Sequence, residues 1–367
     1  MNWYEIKNIN AIDSPALVIY KERIAENLRL LKNIVHNENA YLRPHVKTNK
    51  IAEVCLMMLN AGITKFKCAT IAEAEMLAII NAPDVLLSYQ PVGPKAKRFL
   101  QLIKKYPATH FSCLIDNSKT AEELSNIFHA EKLTVNVFID INSGMNRTGI
   151  EPLDAFILFE FTNMLPALKV IGLHAYDGHI RDTEFSLRES HTNKAFVNVI
   201  SLAEAIENVS NRKMIIVAGG SPTFPVHAQR KKVECSPGTF IFWDWGYKQI
   251  LPDEPFEFAA LVITRIISIV DETTITTDLG HKSVAAENPF PRVHFLNAGE
   301  IIPVSQSEEH MVAKVDDSSK YKIGDVLYGV PIHICPTVAL YEKAVVIENN
   351  RAVDEWMVIA RNRKITI

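Results

Sequence analysis

Between residues 41 and 238, eight short β-rich runs take turns with helical patterns, and this alternation limits the fold more than any other feature of the chain. The runs are YLRPHV (41–46), KFKCAT (65–70), DVLLSYQ (84–90), HFSCLID (110–116), VNVFIDI (135–141), KVIGLHAYD (169–177), KMIIVAGG (213–220) and KVECSPG (232–238). Helical patterns fill 20–36, 50–61, 71–81, 95–105, 118–130, 151–163, 184–208 and 224–229. Several runs are almost wholly apolar, as strands covered on both faces must be. Eight such strands alternating with helices predict a (β/α)8 barrel, with a doubly wound open sheet as the alternative.

After about residue 240 the texture changes. Long helical patterns stop, and EFAALVITRIISIV, TTITTDLG, HMVAKV, DVLYGVPIHIC, KAVVIENNRAVDEWMVIA and RKITI follow, β-rich and separated by turns. This predicts a second, mostly antiparallel β domain over 241–367, joined by the N-terminal residues, with the barrel over 12–240. The 367 residues are 48% hydrophobic and 22% charged, with a net charge of -3. That balance is ordinary for a soluble globular chain and leaves no basic footprint for nucleic acid. No apolar run approaches the roughly 18–20 residues that span a bilayer, and the N-terminus lacks the pattern of a signal peptide. Five cysteines without paired spacing fit a reducing, cytoplasmic setting.

In such a barrel, chemistry sits where strands end. The first run ends in RPHVKTNK, which places Lys47 at a strand end beside apolar neighbours. A desolvated lysine loses charge readily and can form a Schiff base; the plainer reading is a surface lysine. The seventh run ends in GGSPT, Gly219 to Thr223, where glycines allow close backbone approach and hydroxyls add donors. Such a junction either cradles a phosphate or is only a tight turn. Neither a P-loop nor GxGxxG is present. A strand-end lysine together with a phosphate cradle suits pyridoxal phosphate. Near the C-terminus, PIHICPT sets His333 and Cys335 two apart, on one side of an extended chain. Imidazole and thiolate suit zinc, although a core cysteine beside a satisfied histidine is the commoner meaning of a bare HxC.

The ordered set RPHVKTNK, CATIAEAEML, GMNRTGI, GLHAYDGH, VAGGSPTFPVHA, DLGHKSVAAE, SEEHMV and HICPTVALYE resembles the D-threonine aldolase / D-serine dehydratase family, from about residue 12 to 350. The resemblance implies an alanine racemase-like fold with a pyridoxal phosphate-binding barrel and a metal-binding β domain. It implies Lys47 as the Schiff-base lysine, Arg147 near the cofactor's phenolic oxygen, and Tyr176 at the pyridine nitrogen. Gly219, Gly220 and Ser221 would hold the phosphate, with Thr223 as a further candidate. His333 and Cys335 would bind a divalent metal, zinc ahead of manganese. A homodimer with shared active sites is implied.

Two departures matter. Many relatives read KTHK where this chain reads KTNK, and Asn49 cannot serve as a base. In this family the aldolases tend to pair His with Asp at the metal and the dehydratases His with Cys. The implied reaction is therefore lysis of a D-3-hydroxy amino acid, by dehydration or by retro-aldol cleavage, with dehydration preferred. An amino-acid racemase and a non-catalytic pyridoxal phosphate-binding protein are the alternatives. Asp278, His281, Lys282 and His310 stay open as substrate or metal contacts, against polar turns and strand starts.

Overall fold

The computed structural model describes residues 1–367. In chain order, the first half contains β1 (Ala16–Tyr20), α1 (Lys21–Ile34), α2 (Ala52–Asn60), β2 (Lys65–Cys68), α3 (Ile71–Ile79), β3 (Asp84–Leu87), α4 (Pro94–Lys105), β4 (His110–Ile115), α5 (Ser118–Ala130), β5 (Val135–Ile141) and α6 (Pro152–Asn163). Then come β6 (Leu168–Ala175), α7 (Phe185–Ser210), β7 (Ile215–Ala218), α8 (Phe224–His227), β8 (Val233–Cys235) and α9 (Trp245–Ile250). The remainder is β9 (Ala260–Asp271), β10 (Thr274–Thr277), β11 (Val293–Phe295), β12 (Ile302–Gln306), β13 (Met311–Lys314), β14 (Val326–Pro331), α10 (Ile334–Leu340), β15 (Lys343–Glu348) and β16 (Arg351–Met357). No helix is long and apolar enough to cross a membrane.

Two compact units form, one from Leu31–Lys47, Cys55–Gly238 and Asn362–Ile367, the other from Met1–Leu30, Thr48–Val54 and Thr239–Arg361. In the first, β2 to β8 form a parallel sheet in sequential order. The predicted first strand, 41–46, is not a regular strand. Asn39–Tyr41 is a 3-10 turn, and only isolated bridges remain, Leu42 to Cys235 and His45 to Lys67. Pro44 explains this, since it has no N–H to donate to a ladder. The segment still closes the sheet. Arg43 N donates to Cys235 O and Val46 N to Lys67 O, each at 2.9 Å. The basic run is thus partly architecture: buried Arg43 binds Glu234 and Asp84, each at 2.6 Å.

The strands of this unit are apolar because they are covered on both sides, as the fully buried Val85, Leu86, Val137, Phe138 and Ile139 show. Helix α3 starts where Thr70 accepts a hydrogen bond from Glu73 N at 3.1 Å, an N-cap. Thr70→Ala is expected to lower stability by about 1 kcal/mol. Urea unfolding measures this, and an unchanged midpoint would mean the cap contributes nothing. The terminal RKITI is not a strand. The Thr366 and Ile367 N–H groups go to Glu75 Oε2, at 3.0 and 3.3 Å, so a side chain replaces a neighbouring strand.

In the second unit β9 is the spine. It pairs antiparallel with β1, β10 and β14, while β1 runs parallel to β15. Side chains alternate along β9, so Val262 and Ile266 enter one apolar cluster and Leu261 and Ile263 another. The long strand DVLYGVPIHIC divides at Pro331: β14 ends there, His333 caps α10, and Cys335 lies in its first turn. An extended geometry for HxC is therefore not what forms. Pro336 is accommodated because N–H groups in a first helical turn have no partner within the helix.

Candidate active site

Within the barrel unit, the chain leaving successive strands gathers Lys47, Arg147 and Tyr176. The Lys47 amine lies 5.8 Å from the centre of the Tyr176 ring, and the Arg147 guanidinium carbon 4.8 Å from it. A third cation, which sequence reasoning missed, joins them: the Lys67 amine is 5.6 Å from the same ring. Lys67 is 2% exposed. Burial first, and then the Lys47 charge, lowers its pKa to about 7, against the opposing pull of Asp140 and Asp177. The available signal was a lysine inside a strand that must be buried on both faces.

Behind Lys67 stand His174 and Asp140, neighbours in the β5–β6 register. His174 Nδ1 donates to Asp140 Oδ1 at 2.7 Å, and Lys67 Nζ lies 3.4 Å from His174 Nε2. Burial and the Lys67 charge lower the His174 pKa. Burial would raise Asp140, but bonds from His174, Thr148 and Gln90 hold it below the ordinary carboxylate value. A neutral imidazole beside an anionic carboxylate keeps its proton on Nδ1, which leaves Nε2 to accept from Lys67.

The Gly219–Thr223 loop abuts the same ring. A methyl group on Gly220 would come within 2.9 Å of Tyr176 Cε2. One on Gly219, whose φ is +78°, would lie 2.9 Å from His227 Cδ2. Side chains are thus barred and the backbone stays bare, as a phosphate cradle requires. Thr223 is fully buried, and its hydroxyl donates to Asp177 Oδ1 at 2.7 Å, so it braces the loop. His227 Nε2 donates to Asp177 Oδ2, also at 2.7 Å. Burial would raise Asp177, but the His227 charge and these hydrogen bonds keep it ionised. Ser221 is buried on the same loop. The carboxylates that act on Lys67 are therefore already engaged by histidines, which leaves three basic side chains and a bare loop suited to an anionic aldehyde cofactor. A cleft of about 640 Å³, lined by Asn142, Gly144, His179 and Arg181 among others, contains none of these residues.

The β unit holds the other predicted pair. His333 Nδ1 donates to Glu287 Oε1 at 2.6 Å, which orients the ring as carboxylates orient metal-binding histidines. Burial would lower the His333 pKa, but the hydrogen bond to Cys335 and the charges of Cys335 and Asp244 push it to about 9. Cys335 Sγ lies 3.1 Å from Thr48 Oγ1 and 3.6 Å from Thr239 Oγ1. No third His, Cys, Asp or Glu joins the pair in ligand geometry. The donor set, an oriented imidazole interacting with a thiol, fits a divalent metal with open positions. Asn49 is buried, and its Oδ1 accepts from Ile51 N at 3.0 Å, which shapes the local turn. Asp278 accepts from Ser14 and Thr264, each at 2.5 Å, and Lys282 pairs with exposed Glu308 and Glu309.

A parallel barrel accompanied by a mostly antiparallel sheet is the alanine racemase-like architecture. The chain matches the family model "Alanine racemase, N-terminal domain" over residues 19–244, more than half of its length, and it belongs to that family. Residues 259–347 match a second model, "Putative serine dehydratase domain". A D-threonine aldolase of an Arthrobacter species is 26% identical over 359 residues, covering 95% of this chain and 93% of that protein. The structure of a D-threonine aldolase from Filomicrobium marinum matches with a TM-score of 0.87 at 24% identity, over 95% of each chain. That of a D-threo-3-hydroxyaspartate dehydratase from Delftia sp. HT23 gives 0.83 at 20% identity, over 94% of this chain and 97% of that one. Structures named for the same enzyme include a His→Ala variant and a Cys→Ala variant two positions further on, the latter in a metal-free form. At these identities the structural matches establish the fold.

Proposed function

We propose that the protein is a pyridoxal phosphate- and divalent metal-dependent lyase acting on D-3-hydroxy amino acids. The observation that carries this reading is the convergence of Lys47, Arg147 and Tyr176 beside the bare Gly219–Gly220 backbone. Lys47 is the amine that bonds the cofactor aldehyde. Arg147 would face the cofactor's phenolic oxygen, Tyr176 its pyridine nitrogen, and Gly219, Gly220 and Ser221 its phosphate, with Thr223 bracing that loop. When bound, the cofactor supplies an electron sink and the metal a Lewis acid. The cofactor part is assigned to the barrel unit within 12–240, and the metal part to the β unit, 241–367 with the N-terminal residues, β1 included.

His333 and Cys335 would hold the metal, and Glu287 keeps the His333 ring in one orientation. The same His-x-Cys spacing separates the residues exchanged in the dehydratase variants. Thiolate softness favours zinc, with manganese second. With the cofactor bound, Lys47 would be the base that takes the proton from the substrate's α-carbon, and the hydroxyl would leave as water. Dehydration is preferred over aldol cleavage on the thiolate ligand. A homodimer with shared sites and a cytoplasmic location complete the reading.

Incubation with D-threonine, cofactor and divalent metal decides the reaction. 2-Oxobutanoate with ammonia is expected. Glycine with acetaldehyde would reverse the preference, and L-allo-threonine would mean a racemase. No product from D-threonine, D-serine or D-phenylserine would end the lyase reading.

A further inference from the structure

We propose that Lys67 is the proton acceptor for Lys47, held in place by His174 and Asp140. The inference rests on the lyase reading and adds to it a second working amine. Lys47 must be neutral again to bond the cofactor, and Asn49, two residues further on, cannot titrate. The proton that Lys47 takes from the α-carbon must reach the departing hydroxide, which leaves as water, before Lys47 can bond the cofactor again, and a second amine can hold it on the way.

Lys67 is placed for this. Its backbone pairs with the segment that ends in Lys47: Lys67 N donates to Pro44 O and accepts from Val46 N at its own carbonyl, both at 2.9 Å. The two amines approach the same Tyr176 ring, at 5.8 and 5.6 Å from its centre. Lys67 lies on β2 and His174 on β6, and side chains from alternate barrel strands share an interior layer. The groups acting on its charge are Lys47 and Arg147, which oppose it, and Asp140 and Asp177, which favour it. His174, fixed by Asp140, presents Nε2 to the amine and keeps it pointed into the barrel.

An ordinary lysine holds its proton at neutral pH and accepts none. Burial here brings the pKa to about 7, so half of the amine is free to accept near neutrality. In the proposed step a proton leaves the Lys47 ammonium for the Lys67 amine. The products are a neutral Lys47 and a Lys67 ammonium; the ammonium then gives its proton to the departing hydroxide, which leaves as water, so Lys67 is reset in each turnover and no electrons are transferred. Below pH 7 Lys67 is already protonated and the step stops. Turnover is therefore expected to rise with pH through about 7.

Lys67→Met and Lys67→Arg test the idea, with thermal melting to confirm folding. Lys67→Met removes a desolvated amine and keeps its volume, so its melting temperature should match or exceed that of the parent. Its kcat is expected to fall about 10²–10⁴-fold, with little change in KM and no inflection near pH 7. Lys67→Arg keeps the charge and accepts no proton, so it should be equally slow. Restored turnover in Lys67→Arg would overturn the proposal, because a fixed charge would then suffice. A retained inflection in Lys67→Met would do the same. A readout independent of turnover is NMR of protein carrying ε-13C lysine. One amine should titrate near pH 7 in the parent and vanish in Lys67→Met, and its absence from the parent overturns the inference. If the parent turns over no 3-hydroxy amino acid, the lyase reading fails, and an inflection near 7 that Lys67→Met does not remove from the bound cofactor's absorbance overturns the inference separately.

Discussion

Lys47→Ala is expected to remove the near-visible absorbance of cofactor-loaded protein and to lower turnover by about 10⁴-fold or more. The band depends on a covalent bond between the cofactor aldehyde and an amine, and alanine offers none. On the proposed reading the same amine takes the substrate's α-proton, so binding and chemistry should fail together. The fold should survive. Lys47 is half-buried, and the contact identified for its amine is the Tyr176 face at 5.8 Å, an interaction of about 1 kcal/mol. Spectra of dialysed, cofactor-treated parent and variant make the comparison. A band that persists in Lys47→Ala would pass the role to Lys67, the other amine against that ring.

Cys335→Ala is expected to weaken divalent metal binding and to lower turnover by about 10²–10³-fold at limiting metal, the scale of a lost Lewis acid. A one-sided ligand set makes the effect large. His333 would remain, oriented by Glu287, but no third His, Cys, Asp or Glu stands ready to replace the thiolate. Cys335→Asp restores an anionic ligand and should recover metal. It is also expected to move the products of D-threonine toward glycine and acetaldehyde, because a carboxylate replaces the softer thiolate. Metal content by elemental analysis and product ratios by chromatography report the two effects separately. Full metal content in Cys335→Ala would remove Cys335 from the site.

The barrel could be read from the chain because its signal is local. A strand buried on both faces must be apolar, and a helix crossing between parallel strands must be amphipathic, so the alternation from KFKCAT to KVECSPG appears in the residues themselves. The bare backbone at Gly219 and Gly220 and the His333–Cys335 spacing are also short-range patterns. The strand-end lysine could be located in the same way, since strand ends follow from strand positions.

What the residue order leaves open depends on partners remote in sequence. Pro44 interrupts the first stave, yet Cys235 O and Lys67 O close the barrel around it. His333 and Cys335 belong to a helix cap and first turn because β14 stops at Pro331. The N-terminal strand Ala16–Tyr20 lies inside the second sheet between β9 and β15, pairing Val18 with Val345. The cluster behind the Tyr176 ring is the clearest case. Lys67, Asp140 and His174 come from three strands, and nothing in their local sequence joins them. Only barrel closure removes the Lys67 amine from water and brings it to the Tyr176 ring that the Lys47 amine also approaches. Desolvation and a neighbouring charge, neither of which exists in an extended chain, turn an ordinary lysine into one that can exchange a proton near pH 7.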